Sequence, residues 1–310
     1  MAIYNSQYTG AQIDEAVGAV LSENEAEICD MLYNASTTPA HSVYTGTGLF
    51  DIYDAENGSV VTPLEEVGNV TADLFQFEKV VVVADEALVS KVKDQLTKSY
   101  QRTRNTFAEK AVSGAGSVRF KYGSTLITIM PPQGMPVFNS SHYIGTSEEE
   151  MQSNYYYAER GADEDISAEL VEKYLDNLAG KMRTLRDDNG DILGYEPDTI
   201  IIPANIPKLE LAVRKATKGS RWKVVAFPNW STSVETIILL SSKANKELGG
   251  NIMVDAEPLT ITSEYSEADN GWVVHATAKF GVCFGAYQHM LMFTSATPDT
   301  TIPGATELTD

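Results

Sequence analysis

Apolar positions recur at helical spacing in several stretches of the chain and form short runs or alternations in the rest. Residues 10–33 carry Ile13, Ala16, Val17, Val20, Leu21, Ile28 and Leu32 at roughly helical intervals. Residues 77–84 (Phe-Glu-Lys-Val-Val-Val-Val-Ala) read as a strand, after which Asp85 can cap a helix from about Glu86 to Ser113, closed by Gly114. In that helix Leu88, Val92, Leu96, Tyr100, Phe107 and Ala111 make one stripe, with Lys91, Lys98 and Arg102 on the other side. At ~1.5 Å per residue it is roughly 40 Å long, a spine well beyond the usual ~11–12 residues. A second amphipathic helix is expected from about Asp165 to Arg186, buried along Ile166, Leu170, Tyr174, Leu178, Met182 and Leu185 and ended by Asn189-Gly190. A short third helix spans residues 206–217.

The remaining segments read as strands and turns. Residues 36–47 are rich in turn formers and extended. Residues 48–78 suggest a long hairpin, out along Leu49–Tyr53, turning at Asn57-Gly58 and returning along Ser59–Thr62. Phe120 to Met130 is β-like and stops at Pro131-Pro132; residues 131–162 are loop-rich, with a tyrosine cluster at Tyr155 to Tyr157. Thr199 to Ile202 is a short apolar strand of the kind buried on both faces. Lys223–Phe227 and Thr236–Leu240 follow, and Leu259–Tyr265 with Trp272–Phe284 alternate in period two as a closing hairpin. The class is α+β, with local hairpins and no βαβ rhythm.

Composition narrows the function classes. The 310 residues suit one large domain or two modest ones, long enough to bury a core without disulfides or metals. Cys29 and Cys283 are too few and too far apart for a disulfide framework or metal site, and are expected as buried thiols in a reducing compartment. The opening Met-Ala-Ile-Tyr offers no secretory n-region, and the longest apolar run, Val80–Ala84, is far short of the ~20 residues that cross a bilayer. No export and no membrane are expected. The net charge is −20, from 23 Lys+Arg against 43 Asp+Glu, which argues against a free-standing nucleic-acid binder. The charge is also unevenly spread. Residues 1–78 hold 13 acidic residues and no Lys or Arg. Residues 85–121 hold eight basic residues (Lys91, Lys93, Lys98, Arg102, Arg104, Lys110, Arg119, Lys121) against four acidic ones, and none follows Lys279.

Enzyme signatures are missing. The chain has no GxGxxG after a strand, no phosphate-binding loop, no HExxH and no GxSxG. His41, His142, His275 and His289 stand singly, and adjacent carboxylates are expected by chance in so acidic a chain. Residues 187–191 (Asp-Asp-Asn-Gly-Asp) lack the spacing and final Glu of a calcium loop and read as a helix-ending turn. No catalytic residue, cofactor or metal is assigned, although an acidic enzyme with an unpatterned site is a different class the residues leave open. The basic spine face is either a solvated helix side or a docking surface for DNA phosphate or another copy's acidic arm.

Some segments carry a resemblance. Residues 138–142 (Phe-Asn-Ser-Ser-His), after the long helix, look like the "LF-s-t-s-H" segment of one branch of the tailed-bacteriophage major capsid proteins. Residues 188–190 (Asp-Asn-Gly), followed by Pro197-Asp198-Thr199-Ile200-Ile201-Ile202-Pro203, resemble that branch's "d-x-G … P-D-T-L-I-V-P", and residues 272–287 are similar to its last strand pair. Together they span about residues 45–290 and point to the Hong Kong ninety-seven fold. The resemblance implies an N-terminal arm (1–42), an extended hairpin loop (43–76), a peripheral domain with the spine helix (77–159), an axial domain (160–250), and return strands with a C-terminal tail (251–310). It further implies a self-assembling icosahedral shell of hexamers and pentamers in a virion built in the bacterial cytoplasm. Packaged double-stranded DNA and portal, scaffold or decoration proteins would be its partners. A nanocompartment shell and a tail or head-completion protein are the alternatives. Residues 43–78 contain no lysine, so a cross-link from an extended-loop lysine cannot start there. Cohesion is then expected from burial, strand pairing and charge, with Glu65, Glu66 and Asp73 of one subunit on Lys91, Lys98 and Arg102 of the next.

Overall fold

The computed structural model describes residues 27–44, 66–129, 131, 133–144, 147–160, 166–296 and 302–308. The chain opens with α1 (Glu27–Leu32) and β1 (Asn34–Ser36), then a strand pair, β2 (Ala40–Tyr44) and β3 (Glu66–Thr71). β4 (Phe75–Val83) leads into the spine helix α2 (Val89–Ser113). Next come β5 (Arg119–Tyr122), β6 (Thr125–Thr128), β7 (His142–Ile144), β8 (Ser147–Gln152) and β9 (Tyr155–Glu159). The second half begins with α3 (Ala168–Arg183), β10 (Thr199–Pro203), α4 (Pro207–Ala216) and β11 (Lys223–Phe227). It ends with β12 (Thr236–Leu240), α5 (Ser242–Glu247), β13 (Asn251–Ser266), β14 (Gly271–Phe284), β15 (Met290–Ala296) and β16 (Thr306–Glu307).

Two sheets organise these elements. One has four strands in the order β1-β13-β14-β4 and the other six in the order β11-β10-β12-β15-β9-β16. In the larger sheet β10, β12 and β15 are buried at every residue, and their alternate side chains feed different cores. Ile200, Ile202, Leu239 and Phe293 pack with Leu178 of α3 and Val213 of α4. Ile201, Ile238, Leu240 and Met292 join Phe107 of α2 and Phe280 of β14. A strand apolar on both sides therefore shows no alternation in sequence. Phe107 anchors the second core edge-on, its ring centroid 5.2 Å from Phe120 and 5.4 Å from Phe280.

Local chemistry sets the spine as expected. Asp85 Oδ1 accepts the Ala87 N–H at 2.9 Å, and a single 3-10 turn at Glu86–Leu88 precedes α2. At its end a Cβ on Gly114 would lie 2.8 Å from the Lys110 carbonyl oxygen, so only glycine fits. The expected helix over 10–33 is present at Glu27–Leu32; its earlier part, like the turn at Asn57-Gly58, lies outside the described residues. α1 is held firmly: Ile28, Cys29 and Leu32 are buried in the Phe107 core, and the Leu32 carbonyl accepts from Asn245 and Asn251 side chains at 3.0 Å each. Both cysteines are buried and unbridged.

Three expectations change. β10, α4 and β11 form a parallel βαβ unit, so the chain does contain one. β12 takes one side of β10 antiparallel and leaves the other for β11, a choice that local periodicity does not encode. The β-like run Phe120–Met130 is two strands, folded back at Gly123, whose φ is +60°. Tyr155–Tyr157, read within a loop-rich stretch, forms β9, parallel to both β15 and β16.

Candidate assembly surface

The spine helix buries Val92, Leu96, Phe107, Ala108, Ala111 and Val112. Lys91, Lys98 and Arg102 project from the opposite, exposed side, at helical spacings that put them on one face. The helix is fixed beneath them. Arg104 reaches Asp255 of β13 at 2.6 Å, and the buried Glu109 carboxylate accepts the backbone and side-chain N–H groups of Asn229 at 2.9 and 3.1 Å. Beside the helix β4 forms the outer edge of its sheet among the described residues, with Val80 51% exposed. A shallow groove of about 140 Å³ runs between them, lined by Leu96, Tyr100 and Thr103 of the helix and Phe77, Lys79 and Ala276 of the sheet. Among the described residues the strand edge and the groove thus adjoin the inner side of the spine helix, and the cations occupy its outer side.

The acidic partners are placed less completely. Glu65 lies outside the described residues, and Glu66 opens β3 opposite Tyr44. Asp73 is exposed, but its Oδ2 accepts the Thr128 backbone N–H at 3.1 Å, tying the β3–β4 corner to β6 of its own chain. The same corner presses on β14, where a Cβ on Gly281 would lie 2.1 Å from the Asp73 carbonyl oxygen.

The histidines have structural surroundings. His142 is buried, stacked on Tyr287 at 3.6 Å, with Nε2 3.0 Å from the Val137 carbonyl and Nδ1 3.2 Å from Gln133 Oε1. Next to it Asn154 donates to the carbonyls of Val137, Tyr287 and Met290 and accepts from the Asn139 N–H. Residues 138–142 are therefore a polar knot joining β7 to the large sheet. Burial pulls the His142 pKa down to about 4 and that of His289, paired with Asn251 Oδ1 at 2.7 Å, down to about 3. Both are neutral near pH 7. His275 instead meets Glu78 at 2.7 Å on the sheet surface. The Asp187 turn closes as expected, Asp187 Oδ1 accepting the N–H groups of Asn189 and Asp191 at 2.9 Å each. Among the described residues no group of three or more His, Cys, Asp or Glu is arranged to hold a metal ion, and no helix is long and apolar enough to cross a membrane.

A second cationic region escaped the sequence reading. Six of the 23 Lys+Arg fall between Lys208 and Lys223, on α4 and the approach to β11, a clustering visible in the charge pattern alone.

No family profile and no curated protein matches the chain. Solved structures do. A chain in the capsid of cyanophage P-SCSP1u superposes with a TM-score of 0.56 at 8% identity, over 95% of this chain and 94% of that one. This chain has the phage capsid fold. A chain from the capsid of an empty GTA particle gives 0.52 at 10% identity, covering 90% and 98% of the two chains. One from the cyanophage Pam1 capsid gives 0.50 at 12% identity, covering 87% and 89%. Within this fold Phe138 of residues 138–142 packs in the Phe107 core, and residues 197–203 contribute Ile201 to that core and Ile200 and Ile202 to the helix-side one.

Proposed function

We propose that the chain is a major capsid protein that assembles, without catalytic chemistry, into the icosahedral shell of a tailed phage and encloses its double-stranded DNA. The observation that carries the reading is the fold likeness to phage and particle capsids, which extends over nearly the whole chain. The β4 edge, unpaired among the described residues, and the exposed cations on the outer side of the spine support it, since a shell protein must reserve surface for its neighbours. The proposed division is an arm (1–42), an extended loop (43–76), a peripheral part (77–159), an axial part (160–250) and returning strands (251–310), with the six-stranded sheet gathering strands from either side of those limits. Localisation in the virion, and partners of the portal, scaffold or decoration kind, follow from the same reading.

Cohesion is assigned in part to charge. Glu65 and Glu66 of one subunit would lie on Lys98, Arg102 and Lys91 of the next, with Asp73 contributing less because it already serves β6. Each exposed pair is worth ~0–1 kcal/mol, but a shell repeats it many times. Expression of the chain alone followed by electron microscopy should give closed shells; a protein that stays monomeric at high concentration refutes the proposal. Shells enclosing a cargo protein instead of DNA would indicate a nanocompartment. Glu65→Lys with Glu66→Lys should impair assembly, and reversing Lys98 and Arg102 should partly restore it. Normal shells from the first variant would sink this pairing.

A further inference from the structure

The six-stranded sheet ends in two edges of opposite charge. At one edge β11 has no outer neighbour among the described residues. Lys208, Arg214, Lys215, Lys218, Arg221 and Lys223 crowd this corner, all exposed, with Glu210 the one acid in that stretch. Glu210 holds Arg214 at 2.8 Å, Glu196 holds both Arg183 and Arg221, and Lys215 lies close enough to Glu169 to favour its charged form, so Lys218 and Lys223 supply most of the surplus. At the other edge β16 covers β9, Thr306 and Glu307 running parallel to Tyr156 and Tyr157. The Leu308 N–H donates to the Tyr157 carbonyl at 2.6 Å and its side chain packs on the helix-side core. Glu159 and Glu307 are exposed here, while Arg160 is turned to Glu235 at 2.6 Å.

We infer that these two edges meet between copies, the β11–α4 corner of one subunit docking on the β9–β16 edge of the next. The inference rests on the self-assembly reading and specifies its contact. Five inter-strand steps of ~4.8 Å put the edges about 24 Å apart, so a subunit cannot satisfy its own corner across the sheet. A two-fold contact would set cation against cation or carboxylate against carboxylate. The charges therefore oppose the isologous pairing and favour the head-to-tail one, which closes into rings. In a chain of net charge −20, a cationic corner finds its complement most readily on another copy.

Two variants of the full chain test the contact: K215E/K218E/K223E, with both edges negative, and E159K/E307K, with both positive. Each alone should lose assembled rings at least about tenfold at low salt, with its melting temperature unchanged. Mixed in equal amounts, the two can alternate around a ring of six but not of five, so hexagonal sheets or tubes should return without closed shells. A chain carrying both reversals should regain closed shells. Normal shells from either variant, or no recovery in both the mixture and the doubly reversed chain, overturn the contact. Normal shells of K215E/K218E/K223E that retain less double-stranded DNA overturn it in favour of phosphate as the occupant. Should a variant fail to fold, carbodiimide cross-linking of mixed isotope-labelled and unlabelled unmodified protein decides. Inter-copy links from Lys215, Lys218 or Lys223 to Glu159 or Glu307 are expected. Shells without such links refute the edge contact alone, and neither links nor shells refutes the shell reading as well.

Discussion

The two sheets dispose of their apolar surface in opposite ways. In the six-stranded sheet β10, β12 and β15 bury every residue, one face against α3 and α4 and the other against the Phe107 core. In the four-stranded sheet β4 fully buries Val83 and leaves Val80 51% exposed at an edge that is unpaired among the described residues, while the distal hairpin exposes Tyr265 at 52%. The first sheet buries its apolar faces within the subunit and supplies folding free energy, leaving only its charged edges to other copies. The second is left partly uncovered, and its remaining apolar surface is available to a neighbour. Stability and assembly should therefore respond to substitutions in different places.

The sharpest contrast is expected between Phe293→Ala and Val80→Ala. Truncating Phe293, buried in the helix-side core, should cost about 3–5 kcal/mol in denaturant unfolding. Val80→Ala should stay within about 0.5 kcal/mol in the same assay. Equal costs would remove the distinction between the sheets. Next in size is the response to acid. His142 and His289 are held neutral in the fold, with pKa values of about 4 and about 3, whereas the unfolded chain takes up these protons near pH 6.5. Because the unfolded state binds more protons, stability is full above pH about 6.5 and falls as pH drops toward 4. The loss is on the order of 2 kcal/mol per histidine at pH about 5. Urea titrations at pH about 7.5 and about 5 measure it, and His289→Gln should remove roughly half of the difference. A flat profile would mean the buried rings are not excluded from protonation. The smallest effect on the isolated subunit is expected from Val80→Asp, again within about 0.5 kcal/mol, yet assembly yield by sedimentation should drop. Unchanged assembly would show that the β4 edge meets nothing.

Much of the fold was legible where one element's own faces decide it. The Asp85 cap, the spine stripe, the both-faces-buried Thr199–Ile202 strand and the Trp272–Phe284 hairpin arm all follow from local spacing and capping chemistry. The tyrosines of β9 did not read as a strand, because burial on both sides erases alternation. β15 and β16 escaped for a related reason: Met290–Phe293 is apolar without a break and buried on both faces, and the two residues of β16 are too few to show a period. Of the candidate surface, the spine cations were legible. The engagement of Asp73 with Thr128 was not, since it joins residues 55 positions apart.

Taken alone, the chain's periodicity determined the helices and most strands, and its charge distribution marked an acidic N-terminal quarter against cationic stretches. Only the tertiary structure decided the strand order, and with it the placing of Lys223 and Glu307 at opposite ends of one sheet. Periodicity records how a single element divides its faces between core and solvent. Strand order depends on which distant segments fill a shared core, such as Leu308 seated on the helix-side cluster beside Tyr156, and that complementarity appears only when the chain is folded.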